Sequence, residues 1–184
     1  MQRLITPLLL GAVSLAAHAE QFTLSSPEIK VNATIKDEQV FNGFGCSGKN
    51  ISPALEWKNA PKGSKSFALL VHDPDAPTGG AGWWHWVVAN IPADVNKLEG
   101  GAGTADGARL PKGAIQVTTD FGSQGWGGPC PPVGDKPHRY NFTLHALKVE
   151  KLDLPANANA SLAGFMINAN SIGKTTLTGL YGRK

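Results

Sequence analysis

The chain has 184 residues, with 17 basic and 14 acidic side chains and a formal charge of +3. This length suits one domain, and no run of basic residues accompanies the small positive charge. The composition therefore argues against a dedicated nucleic-acid-binding protein, and against a protein that binds membrane surfaces through its charge.

The first 19 residues have the pattern of a secretory signal peptide. Arg3 provides a basic start, Leu4–Ala17 is apolar, and Ala17-His18-Ala19 is a small-x-small cleavage site. The apolar run is shorter than the roughly 20 residues that span a bilayer, so a retained anchor is the weaker alternative. We predict cleavage after Ala19, which leaves a single domain over residues 20–184 that is periplasmic or secreted, without stable membrane insertion.

Two cysteines, Cys46 and Cys130, remain in the exported chain. An even pair in an oxidising compartment usually forms a bridge, which predicts a Cys46–Cys130 disulfide. Two buried thiols are the alternative. A metal site is a weaker reading, because neither cysteine has a second ligand at C-x-x-C or C-x-x-H spacing.

The rest of the chain reads as short apolar segments separated by turn residues, which is typical of a mainly β protein with long loops. The predicted strands are Phe22–Leu24, Val31–Ile35, Leu55–Trp57, Ser66–Val71, Trp84–Asn90, Ile115–Thr119 and Tyr140–Leu147. Between Asn90 and Ile115 the chain is rich in Gly, Ala and Pro, which predicts a surface excursion that buries no core.

One helix is predicted, over Ala160–Ala169, with Asn159 as its N-cap. Apolar residues recur at helical spacing and are expected to form its apolar face: Leu162, Phe165, Met166 and Ala169.

Acidic side chains follow one predicted strand, and a histidine lies near the start of the next. Apolar residues alternate in the strand before Asp73, so this carboxylate is expected to leave the strand on the apolar face, followed by Asp75. Prolines and glycines then turn the chain into the next strand. That strand carries His85, which is predicted to share a face with Val87 and Ala89.

A second polar group follows the segment Asp120–Gly134. Its glycines allow backbone amides to approach an anion closely, and Pro131 and Pro132 are expected to form a stiff rim. His138 and Tyr140 then share strand parity with the apolar residues Phe142, Leu144 and Ala146. The sequence therefore predicts two polar side chains at the start of a core-facing strand.

Four short motifs in this order resemble the phosphatidylethanolamine-binding protein family, the Raf kinase inhibitor-like proteins. They are Asp73–Pro77 (DPDAP), Trp83–Trp86 (WWHW), Gly128–Pro132 (GPCPP) and His138–Tyr140 (HRY). The cysteine within GPCPP and the short C-terminal region resemble the bacterial branch. The resemblance implies a β-sandwich with long loops and a short C-terminal helix.

The resemblance also implies that these residues surround one small cavity. The predicted ligand-binding set is Asp73, Asp75, Ala76, Pro77, His85, Gly128, Pro131, Pro132, His138 and Tyr140. Histidine and tyrosine can donate to phosphate oxygens, and an aspartate can orient an imidazole or accept from an ammonium. We expect an anion-binding protein for phosphate, phosphorylated head groups or phosphatidylethanolamine-type ligands, which binds more tightly towards about pH 5.5 as the histidines gain charge.

Family members often inhibit kinases or proteases, so the resemblance leaves open a protein target, which it does not identify, and a homodimer stays open. No cofactor, metal or catalytic residue is predicted. The main alternative is a metal-dependent hydrolase that uses the same His and Asp side chains, although neither H-E-x-x-H nor G-x-S-x-G is present. A weaker alternative is carbohydrate binding through the tryptophans.

Overall fold

The computed structural model describes residues 20–184, so the predicted signal peptide lies outside the described residues. Ten strands and one helix follow one another in this part of the chain. Their bounds are β1 Thr23–Ser25, β2 Asn42–Gly43, β3 Cys46–Ser47, β4 Leu55–Lys58, β5 Ser66–Asp73, β6 Trp83–Pro92, β7 Lys97–Leu98, β8 Ile115–Gln116, β9 His138–Leu147, α1 Ala160–Asn170 and β10 Ser171–Tyr181.

Two antiparallel sheets face each other. The larger sheet has the order β10-β9-β5-β6-β8, the smaller has the order β1-β4-β7, and β2 and β3 form a separate hairpin. The core between the sheets contains Trp57 from β4, Phe67 from β5 and Phe142 from β9. The predicted mainly β fold with one short helix is confirmed.

Strand β5 is buried on both faces, which explains its continuous apolar sequence. Phe67, Leu69 and Val71 point into the core between the sheets, whereas Ala68 and Leu70 pack on the side of helix α1. Asp73 ends the strand with the parity of the first set and is buried, as the alternation predicts.

The apolar face predicted for the helix is wrong, although the cap is confirmed. Asn159 Oδ1 accepts from the backbone N–H of Leu162 at 2.9 Å. The buried residues are small ones and one isoleucine, namely Ala160, Ala163, Gly164 and Ile167, while Phe165 is 73% exposed. A Cβ added at Gly164 would lie 3.8 Å from the ring of Trp84. The helix therefore packs beside this tryptophan, and an added Cβ would make an ordinary contact with it.

Three other sequence predictions are corrected. Val31–Ile35 is not a strand: Asn32 has φ 54°, and only an isolated bridge joins Thr34 to Leu180. The strand expected at Ile115–Thr119 extends only over β8. The segment between Asn90 and Ile115 does contribute to the core, because its residues Leu98 and Ala102 are buried in the core between the sheets.

Strand β10 was not predicted at all, yet it pairs with β9 from Ser171–Leu147 to Tyr181–His138. It is an edge strand in which only Leu177 and Gly179 are buried, so it lacks a strong apolar alternation. Within residues 20–184, no helix is long and apolar enough to cross a membrane.

Candidate ligand pocket

A cavity of about 220 Å³ opens where β5 ends and where β6 and β9 begin. Eight of the ten predicted ligand-binding residues line it: Asp73, Ala76, Pro77, His85, Pro131, Pro132, His138 and Tyr140. Five lining residues were not predicted: Phe44, Thr78, Trp83, Phe121 and Cys130. The cavity wall is therefore largely apolar, with a few polar side chains that include Asp73, His85 and His138.

Two predicted residues lie outside the cavity wall. Asp75 accepts from the guanidinium of Arg139 at 2.6 and 2.9 Å, and this contact lowers the pKa of Asp75 to about 2. The N–H of Gly128 donates to Asn50 Oδ1 at 2.8 Å, and a Cβ at Gly128 would lie 2.0 Å from the carbonyl oxygen of Gln39. Glycine at this position allows two backbone segments to cross beside the pocket.

His85 reaches the cavity because β6 contains a bulge. Val71 pairs with Trp86 and His72 pairs with Trp84, which leaves His85 as an extra residue between them. A bulge of this kind redirects a side chain. The ring of His85 therefore packs against Tyr140 of the inter-sheet core, with 5.0 Å between ring centroids.

The face predicted for His85 is thus wrong. Val87 and Ala89 pack towards the helix, on the other side of the sheet. Simple alternation fails here because the bulge shifts the parity of β6 by one residue.

The backbone of Gly127 holds His85 in one tautomer. His85 Nδ1 lies 2.6 Å from the carbonyl oxygen of Gly127, and the Gly127 N–H donates to the carbonyl oxygen of His85 at 2.9 Å. Because a carbonyl only accepts, Nδ1 carries the proton. Burial lowers the pKa of His85 to about 4, so the ring is neutral near neutral pH and Nε2 presents a lone pair.

Asp73 orients His138. Asp73 Oδ2 lies 2.7 Å from His138 Nδ1, and Oδ1 accepts from the backbone N–H of Asp75 at 2.8 Å. Both side chains are buried. The other ring nitrogen, His138 Nε2, lies 3.2 Å from Asp135 Oδ2. Sequence reasoning missed Asp135, although its position three residues before His138 was a usable signal.

Tyr140 provides the free donor of the pocket. Its side chain is fully buried, and its hydroxyl has no hydrogen-bond partner among the described residues. Burial, together with the charge of Asp73, raises the pKa of Tyr140 well above its ordinary value. The hydroxyl therefore keeps its proton and can donate a hydrogen bond.

An aromatic group forms one wall. Phe44 lies at the tip of the β2–β3 hairpin with φ 52°, a conformation that bulky residues rarely adopt. Its ring lies 5.2 Å from Phe41 and 6.0 Å from Phe121, measured between centroids. The sulfur atoms of Cys46 and Cys130 are 2.09 Å apart, so the predicted bridge joins this hairpin to the proline rim.

No lysine or arginine lines the cavity in the described part of the chain. Arg183 lies close by, but its Nε donates to the carbonyl oxygen of Pro131 at 2.6 Å and its Nη1 to that of Gly45 at 3.1 Å. Across residues 20–184, no three His, Cys, Asp or Glu side chains are grouped so as to hold a metal ion.

A β-sandwich with a small, apolar-walled cavity and a few convergent polar groups defines a protein that binds small ligands. The family model for phosphatidylethanolamine-binding protein matches residues 25–182, so the chain belongs to this family.

The chain is also similar to several bacterial members. YbcL of Escherichia coli is 49% identical over 181 residues, which cover 98% of both chains. The crystal structure of YbcL, described as a member of the mammalian PEBP family, covers 90% of this chain and 100% of its own, with a TM-score of 0.87 and 51% identity. YbhB of E. coli is 43% identical, over 86% of this chain and 98% of its own. LppC of Mycobacterium tuberculosis, named as a lipoprotein, is 38% identical, over 92% and 77%.

Proposed function

We propose that this protein is an exported binding protein whose cavity holds a small phosphoryl group, either free or as the head group of a phosphatidylethanolamine-type ligand. One observation carries the proposal. Within residues 20–184, the Tyr140 hydroxyl and the Nε2 of neutral His85 have no hydrogen-bond partner, and their rings are only 5.0 Å apart in the same cavity. A buried donor without a partner is costly, so it is commonly explained by a function.

The pair matches one protonation state of a phosphate monoester. Tyr140 donates to a phosphoryl oxygen, while His85 Nε2 accepts from a P–OH group or from an ammonium. A monoester monoanion carries that hydroxyl and a dianion does not. A phosphatidylethanolamine-type head group is a phosphodiester without a P–OH group, so there only the ammonium can donate to His85 Nε2. The apolar walls strengthen these hydrogen bonds because they reduce the local dielectric.

This match changes the reason for the expected pH dependence. The pKa of His85 is lowered to about 4, so His85 does not gain a charge between about pH 7.5 and about pH 5.5. A phosphate monoester has its second pKa near about 6, so the monoanion becomes the major form over the same range. We therefore attribute tighter binding towards acid to the ligand rather than to this histidine.

The cavity wall supports binding rather than catalysis. It contains no serine among the described residues, and its cysteine, Cys130, is bridged. Thr78 Oγ1 donates to the carbonyl oxygen of Gly82 at 3.0 Å. We expect no turnover of phosphoesters, esters or peptides, with or without divalent metals. Turnover that is lost in a folded His138→Ala protein would contradict this view and support the hydrolase alternative.

Export is proposed from the pattern of residues 1–19, and a cysteine bridge suits an oxidising compartment. The lipoprotein name of LppC suggests an envelope location for that relative. The intact mass of the mature protein tests both features. It should correspond to cleavage after Ala19 and to the loss of two hydrogens. A chain that retains the leader, or two thiols that react without prior reduction, would contradict the proposal.

The binding proposal is tested by calorimetric titration of phosphoethanolamine into wild type, Tyr140→Phe and Tyr181→Phe. Tyr181 is a matched control, since its ring packs against the same core but does not line the cavity. A hydrogen bond to a charged group contributes roughly 1.5 to 3 kcal/mol, so Tyr140→Phe should weaken binding about tenfold or more. Equal affinities for all three proteins, or no binding by any of them, would overturn the proposal.

A further inference from the structure

The two carboxylates that contact His138 are held very differently. Asp73 is buried, and each of its oxygens takes part in a hydrogen bond. The side chain of Asp135 is 41% exposed, and its contact of 3.2 Å with His138 Nε2 is the only side-chain hydrogen bond that it makes within residues 20–184. Exposed ion pairs contribute little to stability, whereas breaking a buried pair is strongly unfavourable. Asp135 is therefore the partner that a ligand can displace.

Displacement frees a donor for the ligand. Because carboxylates only accept, both ring nitrogens of His138 act as donors when the contacts to Asp73 and Asp135 are both made, and a ring that donates from both nitrogens is positively charged. His138 lines the cavity, so a phosphoryl oxygen that replaces Asp135 would meet the same N–H. A purely anionic ligand must therefore compete with the carboxylate of Asp135.

Asp135 itself lies outside the cavity wall, beside His138, and a displaced Asp135 would find no other cation on that wall. The cavity wall contains neither lysine nor arginine within the described residues. Arg139 pairs with Asp75, and Arg183 donates to two carbonyl oxygens. A purely anionic ligand would thus bring a third negative group to His138, beside Asp73 and Asp135, whereas a ligand with an ammonium group supplies a further positive charge.

We propose that Asp135 sets the charge selectivity of the pocket, because it competes with anions for His138 and pairs with the ammonium of a zwitterionic phosphate monoester. This inference rests on the proposed function. It adds a residue that was not predicted to contact ligand, and it explains how a pocket without a lysine or arginine selects an amino-bearing phosphoryl group.

The test compares two ligands that differ in one group. Phosphoethanolamine carries an ammonium where propyl phosphate carries a methyl group. Both are titrated at low ionic strength into wild type, Asp135→Asn and the control Asp37→Asn. Asp37 is an exposed carboxylate close to Tyr181, which is the β10 residue opposite His138 in the strand register. Its proximity shows in the pKa of Tyr181, which is raised by burial and then by the charge of Asp37.

The measured quantity is the ratio of the two affinities. In Asp135→Asn the affinity for propyl phosphate should rise and that for phosphoethanolamine should fall, which lowers the ratio by about fivefold, the range expected for exposed ion pairs. Asp37→Asn should keep the wild-type ratio. If both ligands bind but Asp135→Asn leaves the ratio unchanged, or if Asp37→Asn lowers it equally, only this inference is overturned. If neither ligand binds any of the three proteins, the proposed function fails and the inference fails with it.

Discussion

His85 lies edge-on against Tyr140, with 5.0 Å between their ring centroids, only because strand β6 contains an extra residue at this point. The bulge turns the imidazole from the helix side of the sheet to the cavity side. It thereby brings the imidazole against the ring of Tyr140, whose hydroxyl has no partner among the described residues. The chemistry of the pocket depends on this irregularity in the strand, and bulges are frequent next to functional sites.

Tyr140→Phe should have opposite effects on stability and on affinity. In the described part of the chain the hydroxyl of Tyr140 is buried without a partner, so its removal should raise the free energy of unfolding by about 1 kcal/mol while ligand binding weakens. Urea denaturation in the absence of ligand measures the first effect. A clear loss of stability would show that the hydroxyl already has a partner in the free protein.

Acid should destabilise the protein through its buried histidines. Burial lowers the pKa values of His85 and His145 to about 4. The unfolded chain, with histidine pKa values near about 6.5, binds more protons between about pH 6.5 and about pH 4, so stability falls as the pH decreases through this range. Each histidine can contribute at most roughly 3 kcal/mol to this loss.

His145 allows a test away from the cavity. Its Nδ1 lies 3.0 Å from Ser171 Oγ, and it does not line the pocket. The free energy of unfolding of His145→Gln should depend less on pH than that of wild type between about pH 7 and about pH 4.5. His72→Gln, at a less buried position, controls for the substitution itself. An unchanged pH dependence in His145→Gln would contradict the assignment.

Reduction of the bridge should destabilise the protein and loosen one wall of the cavity. Cys46 and Cys130 are 84 residues apart in sequence. Loss of such a long closed loop costs about 4.5 kcal/mol in the chain-entropy model. Denaturation of the Cys46→Ser/Cys130→Ser protein measures the change in stability, and its affinity for phosphoethanolamine should fall because the Phe44 hairpin loses its attachment to the proline rim. A stability equal to that of wild type would show that the bridge adds little constraint.

Gly128→Ala should be much more harmful than Gly100→Ala. The added Cβ at Gly128 would lie 2.0 Å from the carbonyl oxygen of Gln39, whereas at Gly100 the nearest atom would be 3.8 Å away. Overpacking of this kind costs about 1 to 3 kcal/mol or more, since backbone has to move. Thermal denaturation of both variants provides the comparison. Equal midpoints would mean that the two segments at Gly128 separate easily.

Local alternation predicted much of the pocket. Asp73 follows an alternating strand, and His138 and Tyr140 share parity in β9, so their common face could be inferred from the period of two in an extended chain. The structure places all three in the cavity wall. The Asn159 cap could also be predicted, because it requires only an acceptor at the first turn of a helix.

Features that depend on distant neighbours could not be predicted in this way. Strand β10 has a weak pattern of its own and exists because β9 offers it a hydrogen-bonding edge. The buried face of α1 was predicted from its largest apolar residues, but the face that packs against the sheet carries small residues and Ile167. In both cases the deciding contact lies on another element, which a local periodicity does not contain.

By itself, the sequence determined the mainly β class, the family and most of the side chains around the cavity, because these follow from strand period and from short motifs. Only the tertiary structure decided what each polar group can do. Gly127 sets the tautomer of His85, Asp135 accepts a hydrogen bond from His138, and Asp75 accepts from the guanidinium of Arg139. The physical reason is that donor and acceptor roles depend on which partner lies within hydrogen-bond distance, and these partners are brought together by folding.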